Sequence, residues 1–434
     1  LAIVNAYTMR ISLSVAITVM VNKTVSNDSI SKTGEGICPV PEGGLGGSTK
    51  GPVTLQGLIL SAFYIGYVIT HVPGGLLAEK YGGKWPLVLG IFSTAIFTLI
   101  TPLCIYTGGP YALLTLRILM GLGEGTTFPS LSALLAAWTP LKERARLGAL
   151  VLGGGQVGTI ISTLVSGALI HFFKNWEVVF YFWGGIAVLY CILFTLMCYS
   201  DPASHPYISD KEKEYLQEEM GKLERDKDLP PAPWKHIFTS APMIALITAQ
   251  IGHDWGFFIM VTDLPKYMAD VLQFSIKENG LYSSFPYMLM WVVSIGSGFL
   301  ADWLISRQIM GISVARKVFT VVGNKWPNKF SLFTIAMGSM GFFYAGMKLN
   351  PIDLAPNYAG TLMALTNGIG AITGIIVPYM VGLMTPNVNK NFVLFQILNN
   401  NFFVLLTSVI YIVWGSGKIQ PWNEPHKMNS EKNN

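Results

Sequence analysis

An arginine and a glutamate stand seven residues apart inside an apolar stretch, Arg117-Ile118-Leu119-Met120-Gly121-Leu122-Gly123-Glu124. On a helix this spacing is two turns and roughly 10 Å of rise, so the two charges share one face. A charge at the centre of a membrane helix costs about 2.5–3.5 kcal/mol on insertion scales, and such groups therefore face a bundle interior or an aqueous cavity. A guanidinium fork matches a carboxylate or phosphate with two parallel hydrogen bonds. Burial disfavours the charged form of a carboxyl group, and a nearby arginine or anion alters that balance, which lets one glutamate link protonation to anion binding. Arg117 is thus a candidate anion contact and Glu124 a candidate coupling group. Their structural rivals are an arginine that caps carbonyls and a glutamate that only pairs with an arginine.

The elements that must position these charges are membrane helices. Of 434 residues 51% are hydrophobic and 12% are charged, against about 25% charged in soluble domains. Several windows run long enough without charge to cross a hydrocarbon core of about 30 Å as helices. No stretch alternates with period two over the length that a membrane barrel needs. Spans are expected at 1–20, 54–78, 86–106, 111–138, 147–172 and 178–199, then at 237–260, 280–305, 330–347, 359–384 and 392–414. The second half is one span short, because the apolar run 318–323 is too brief to cross. Either it forms a re-entrant turn or most of a ninth helix is missing. The chain opens on Leu1 inside an apolar span, so its N-terminus is expected to be incomplete.

Basic residues gather in alternate loops: Lys80 and Lys84, then Lys142, Arg144 and Arg146, then 200–235. By the positive-inside rule these loops are cytoplasmic, and the loop 21–52 lies outside or in a lumen. That loop holds glycosylation sequons at Asn22 and Asn27, and Cys38. Cys104, Cys191 and Cys198 fall in apolar spans, so neither a disulfide framework nor a metal spacing is expected. The segment 200–235 reads as a linker with a charged surface helix beginning at Ser209. The organisation expected is a bundle over 1–199, a linker over 200–235, a second bundle over 236–416 and a cytoplasmic tail over 417–434. The net charge of +5 reflects orientation, and no nucleic-acid partner follows from it. There is no metal cluster, nucleophile elbow or phosphate loop, so an enzyme is not expected.

Other polar groups in the spans are Arg10, His71, Gln156, His253 and Asp254, with Tyr64 and Tyr67 on the second span. Arg10, Tyr64, Tyr67, Gln156 and His253 join Arg117 as candidate substrate contacts, and His71 joins Glu124 as a candidate coupling group. For His71 beside Pro73, helix packing is the rival use; His253 and Asp254 could instead be interfacial. The glycines around Gln156 suit close helix packing.

The loop Gly75-Leu76-Leu77-Ala78-Glu79-Lys80-Tyr81-Gly82-Gly83-Lys84 resembles the signature loop of the major facilitator superfamily, with Glu79 in place of the usual Asp. A remnant, Gly298-Phe299-Leu300-Ala301-Asp302, sits at the matching place in the second half, as internal duplication implies. Finer resemblance lies in Arg10-Ile11-Ser12-Leu13-Ser14, in Gly66 to Gly75, in Arg117 to Pro129 and in Asp353-Leu354-Ala355-Pro356-Asn357-Tyr358. These stretches resemble the anion:cation symporter family of sialin, vesicular glutamate transporters and sodium-dependent phosphate transporters. His253-Asp254-Trp255-Gly256 and Thr262-Asp263-Leu264-Pro265 are most similar to insect inorganic phosphate cotransporters.

The resemblance implies an all-α membrane fold of two pseudo-symmetric six-helix bundles around a midplane cavity. It implies secondary active transport of an inorganic or organic anion with Na+ or H+ by alternating access, and no cofactor beyond that ion. It places the family's intramembrane arginines on Arg117 and Arg10 and its acidic partner on Glu124. It assigns Gly75, Glu79, Lys80, Gly82, Lys84 and Asp302 to gating loops. His253 stands where vesicular glutamate transporters carry an arginine, which argues against glutamate. The alternatives are a proton-coupled carrier of acidic sugars or amino acids in lysosomes or vesicles, and a receptor that does not transport. The partners implied are a small anion and the lipid bilayer, with a monomer in the plasma membrane or a lysosomal or vesicular membrane.

Overall fold

The computed structural model describes residues 1–20, 53–140, 142–220, 230–270, 276–323, 330–384 and 404–423. Among these, regular structure is helical throughout. The first half comprises α1 (Ala2–Met20), α2 (Val53–Tyr81), α3 (Lys84–Glu124), α4 (Thr127–Trp138), α5 (Arg144–Leu152), α6 (Gly154–Phe173) and α7 (Glu177–Met197). After it comes the charged helix α8 (Asp210–Met220), begun by Ser209, whose Oγ accepts a hydrogen bond from the backbone N–H of Glu212 at 3.3 Å. The second half holds α9 (Trp234–Thr239), α10 (Ala241–Asp270), α11 (Ile276–Ser306), α12 (Ile312–Gly323), α13 (Phe330–Ser339), α14 (Phe342–Ala345), α15 (Asn350–Leu354), α16 (Ala359–Ala371) and α17 (Thr373–Met384). Val404–Trp414, here α18, is a further apolar helix.

Among the described residues six helical stretches are long and apolar enough to cross a membrane: Leu58–Tyr81, Lys84–Trp138, Arg144–Phe173, Glu177–Met197, Ser284–Ser306 and Pro356–Val377. Lys84–Trp138 makes two passes. Gly109, with φ 61° and ψ −151°, breaks α3 in the middle, a conformation that suits glycine. The two arms then run antiparallel: Thr94 Oγ1 donates to the Met120 carbonyl at 3.2 Å, and Thr126 Oγ1 to that of Pro86 at 2.9 Å. Phe172, Leu193, Leu196 and Phe299 remain exposed, as side chains facing lipid must. The chain is a multi-pass membrane protein.

The apolar run after Arg316 belongs to a regular helix, α12. Its 12 residues in α12 rise about 18 Å, short of the roughly 30 Å hydrocarbon core. The two halves meet along α2 with α16 and α17, and along α11 with α5 and α6. One apolar core runs through this seam, from Ile3 and Phe63 to Met363 and Ala371. The sequons at Asn22 and Asn27, Cys38 and the tail from 424 onwards lie outside the described residues.

Candidate functional site

Two glycines create the environment of Arg117. A Cβ on Gly66 would lie 2.0 Å from the carbonyl oxygen of Ile118, and one on Gly121 would lie 2.0 Å from that of Phe63, so only glycine lets α2 and α3 touch here. The contact sets the Arg117 guanidinium over the Phe63 ring, 4.9 Å from its centroid. Arg117 is buried, and its Nε and Nη1 have no hydrogen-bond partner. Arg10 of α1 lies against the same ring. Its Nη2 pairs with Glu124 Oε1, and its guanidinium lies 4.6 Å from the Tyr7 and Phe63 ring centroids and 5.1 Å from that of Tyr67. Glu124 Oε2 makes no hydrogen bond. Three helix segments of one bundle thus hold two guanidinium groups and one carboxylate in an aromatic box, with donor and acceptor capacity to spare. Unmet capacity on buried charged groups is costly unless a ligand or proton satisfies it.

Arg10, Tyr64, Tyr67 and Gln156 line a cavity of about 70 Å³ between the two halves, together with His253, Asp254, Phe258, Tyr344, Lys348 and Asn367. Arg117 and Glu124 stand behind Arg10 and do not form its wall. Gln156 Nε2 donates to Tyr344 Oη at 2.6 Å, joining α6 to α14. The Tyr64 ring meets Phe258 of α10 edge-on with centroids 5.3 Å apart. His253 stacks on Phe343, centroid to centroid at 3.4 Å, and its Nδ1 has no partner. His71 does not reach the wall; its Nε2 lies 3.0 Å from Asn367 Nδ2, beneath the Tyr67 ring.

At the end of the bundles that carries Lys142, Arg144 and Arg146 the two halves are tied by three polar contacts. Glu79 accepts from the backbone N–H and the hydroxyl of Thr361, at 2.6 and 2.7 Å, at the start of α16. Asp302, at the end of α11, accepts from the backbone N–H groups of Ala145 and Arg146 at 3.0 and 2.7 Å, at the start of α5. Carboxylates at helix N-termini satisfy unpaired amides and complement the helix dipole. Between them Asp353 pairs with Arg316 Nε at 2.6 Å and Arg144 Nη1 at 3.4 Å, all three buried. Gly75 abuts Gly360, so that a Cβ would lie 2.8 Å from the Gly360 carbonyl. Gly82 has φ 82°, Lys80 lies over Tyr81, and the Lys84 ammonium sits 4.5 Å from the Tyr199 ring centroid. These contacts hold the two halves together at this end.

Lys348 and Asn367 were not singled out in the sequence. Lys348 follows the apolar run 330–347 and reads as a residue just past a span end. In the structure the chain continues through a 3-10 turn at Met347–Leu349 into α15, which turns Lys348 inward. A lysine eight residues before the Pro356-Asn357 pair was the available signal.

The family model described as Major Facilitator Superfamily matches residues 2–378. A protein named "Putative inorganic phosphate cotransporter" from Drosophila ananassae is 36% identical, over 98% of this chain and 92% of its own length. Human "Sialin" is 35% identical over 97% of this chain and 88% of its own, and bovine "Vesicular glutamate transporter 1" is 31% identical over 87% and 70%. Among solved structures, the crystal structure of a bacterial homologue of the iron transporter ferroportin in an outward-facing state covers 95% of this chain and 97% of its own, with a TM-score of 0.63 at 13% identity. At that identity the likeness concerns the fold alone. The chain belongs to the major facilitator superfamily, among proteins that are transporters and not enzymes.

Proposed function

We propose that this protein is a secondary active transporter of an inorganic or organic anion, coupled to Na+ or H+ and working by alternating access as a monomer. The observation that carries the reading is the buried group of Arg10, Arg117 and Glu124, whose charges exceed what their protein partners satisfy. An anion at Arg10 competes with Glu124 for the guanidinium, and a proton on Glu124 frees Arg10 for the anion. Loading of proton and anion is thereby linked at one pair. Similarity to proteins named as phosphate cotransporter, sialin and vesicular glutamate transporter supports an anionic substrate.

Tyr64, Tyr67, Gln156 and His253 frame the substrate, and His71 backs the wall through Asn367. Glu79, Asp302 and the Asp353 pairs form the gate that must break when the cavity opens to the other side. No resident cofactor is part of this reading. The test is an uptake panel on the reconstituted chain: phosphate, an acidic sugar and an acidic amino acid, each at two pH values with and without sodium. Saturable uptake of one anion, driven by an ion gradient, is expected. Binding without counterflow in every arm identifies a receptor instead. Localisation of the tagged chain separates plasma membrane from lysosome or vesicle.

A further inference from the structure

The second half contributes its own charge to the cavity. Lys348 is 6% exposed, lines the cavity, and makes no ion pair among the described residues. Its ammonium is held by the side-chain carbonyl of Asn367, whose amide group donates to Tyr67 Oη at 3.0 Å. It lies over the Phe128 and Phe343 rings, at 5.0 and 5.8 Å from their centroids. The ammonium is therefore fixed in place at a cavity that Arg10 also lines, one cation from each half. We infer that Lys348 determines specificity by setting the valence of the anion, so that the cavity prefers a divalent anion to a monovalent one. This rests on the transporter reading.

Two considerations support the assignment. Around the cavity stand three cations, Arg10, Arg117 and Lys348, and two carboxylates, Glu124 and Asp254. His71 and His253 can add only positive charge. A loaded carrier is least costly in the membrane when the sum is near zero. A dianion entering with one proton on a carboxylate balances the set; without Lys348 the same proton balances a monoanion. The second consideration is placement: Asn367 and the flanking Phe128 and Phe343 rings hold the ammonium at the cavity, so its charge stays where an anion would sit.

The experiment uses the full chain in liposomes and measures how sulfate and lactate compete with the anion that the wild type carries. Wild type should be inhibited about tenfold more strongly by sulfate than by lactate. Lys348→Met should erase or reverse that ratio, Lys348→Gln should do the same while keeping a bond to Asn367, and Lys348→Arg should retain it. An unchanged ratio in a transporting Met or Gln variant overturns the inference alone. A wild-type chain that carries no anion overturns the transporter reading and this inference with it.

Discussion

Two buried charge groups in this protein differ in what they connect. Arg10, Glu124 and Arg117 belong to one bundle, on α1 and α3. Arg144, Asp353 and Arg316 join α5 of the first half to α12 and α15 of the second. A rigid-body movement of one bundle against the other leaves the first group intact and must separate the second. In the proposed reading, similar chemistry serves as a binding site where it is confined to one body, and as a gate where it crosses between two. The two groups also differ in how far they are satisfied. Asp353 is shared by two arginines, Arg316 also donates to the Ala345 carbonyl at 2.5 Å, and Arg144 Nε is unpaired; the central group leaves Arg10 Nε, Arg117 Nε and Nη1 and the carboxylate oxygen Glu124 Oε2 unpaired.

The sharpest way to break this contrast is to remove a central charge. Arg117→Ala should reduce anion uptake about a hundredfold with surface expression unchanged, because it removes one of the two buried guanidinium charges of the central group, and an interaction between charges a few ångströms apart in a protein is worth about 2–4 kcal/mol. Uptake assays with expression controls check this. Glu124→Gln comes next: if the proton is the coupled ion, exchange of anion for anion should persist while gradient-driven accumulation falls about tenfold or more. Parallel exchange and accumulation measurements separate the two.

At the gate the expected sign differs. Asp353→Asn leaves two arginines facing each other without a carboxylate, and loss of one partner from a buried pair costs about 3–5 kcal/mol. The closed state should lose population, so that a cysteine placed at Ala359, buried at the start of α16, becomes more reactive to a membrane-impermeant thiol reagent added on the side that carries Lys142 and Arg144. Glu79→Gln should do the same more weakly, since the amide carbonyl still accepts from Thr361. The smallest effect belongs to Lys142 and Glu219, paired at 2.6 Å on the surface. The hydrogen bond and charge of Glu219 raise the Lys142 ammonium above its ordinary 10.5. A raised lysine contributes stability below its unfolded value and loses it above the folded one, so this link is constant across neutral pH. Lys142→Ala should leave uptake unchanged at every pH of the panel.

How far the sequence revealed these features depends on how local their signals are. The helices of the first half are continuous apolar runs, so they could be read directly, as could the charge of Arg117 and Glu124. That Arg10 and not Arg117 pairs with Glu124 could not be read, because the pairing spans 114 residues and depends on the close approach at Gly66 and Gly121. Lys348 was concealed by a span boundary placed at the last apolar residue, where the chain in fact turns and continues. Asp302 was legible as a motif residue, but its role as a cap on α5 was not, since the partner lies in the other half.

The central claim is tested most directly by counterflow in liposomes preloaded with unlabelled anion, comparing wild type with Arg117→Ala. The account predicts saturable accumulation of the labelled anion by wild type and none by the variant. Equal accumulation by both would contradict the assignment of this buried charge group as the anion site.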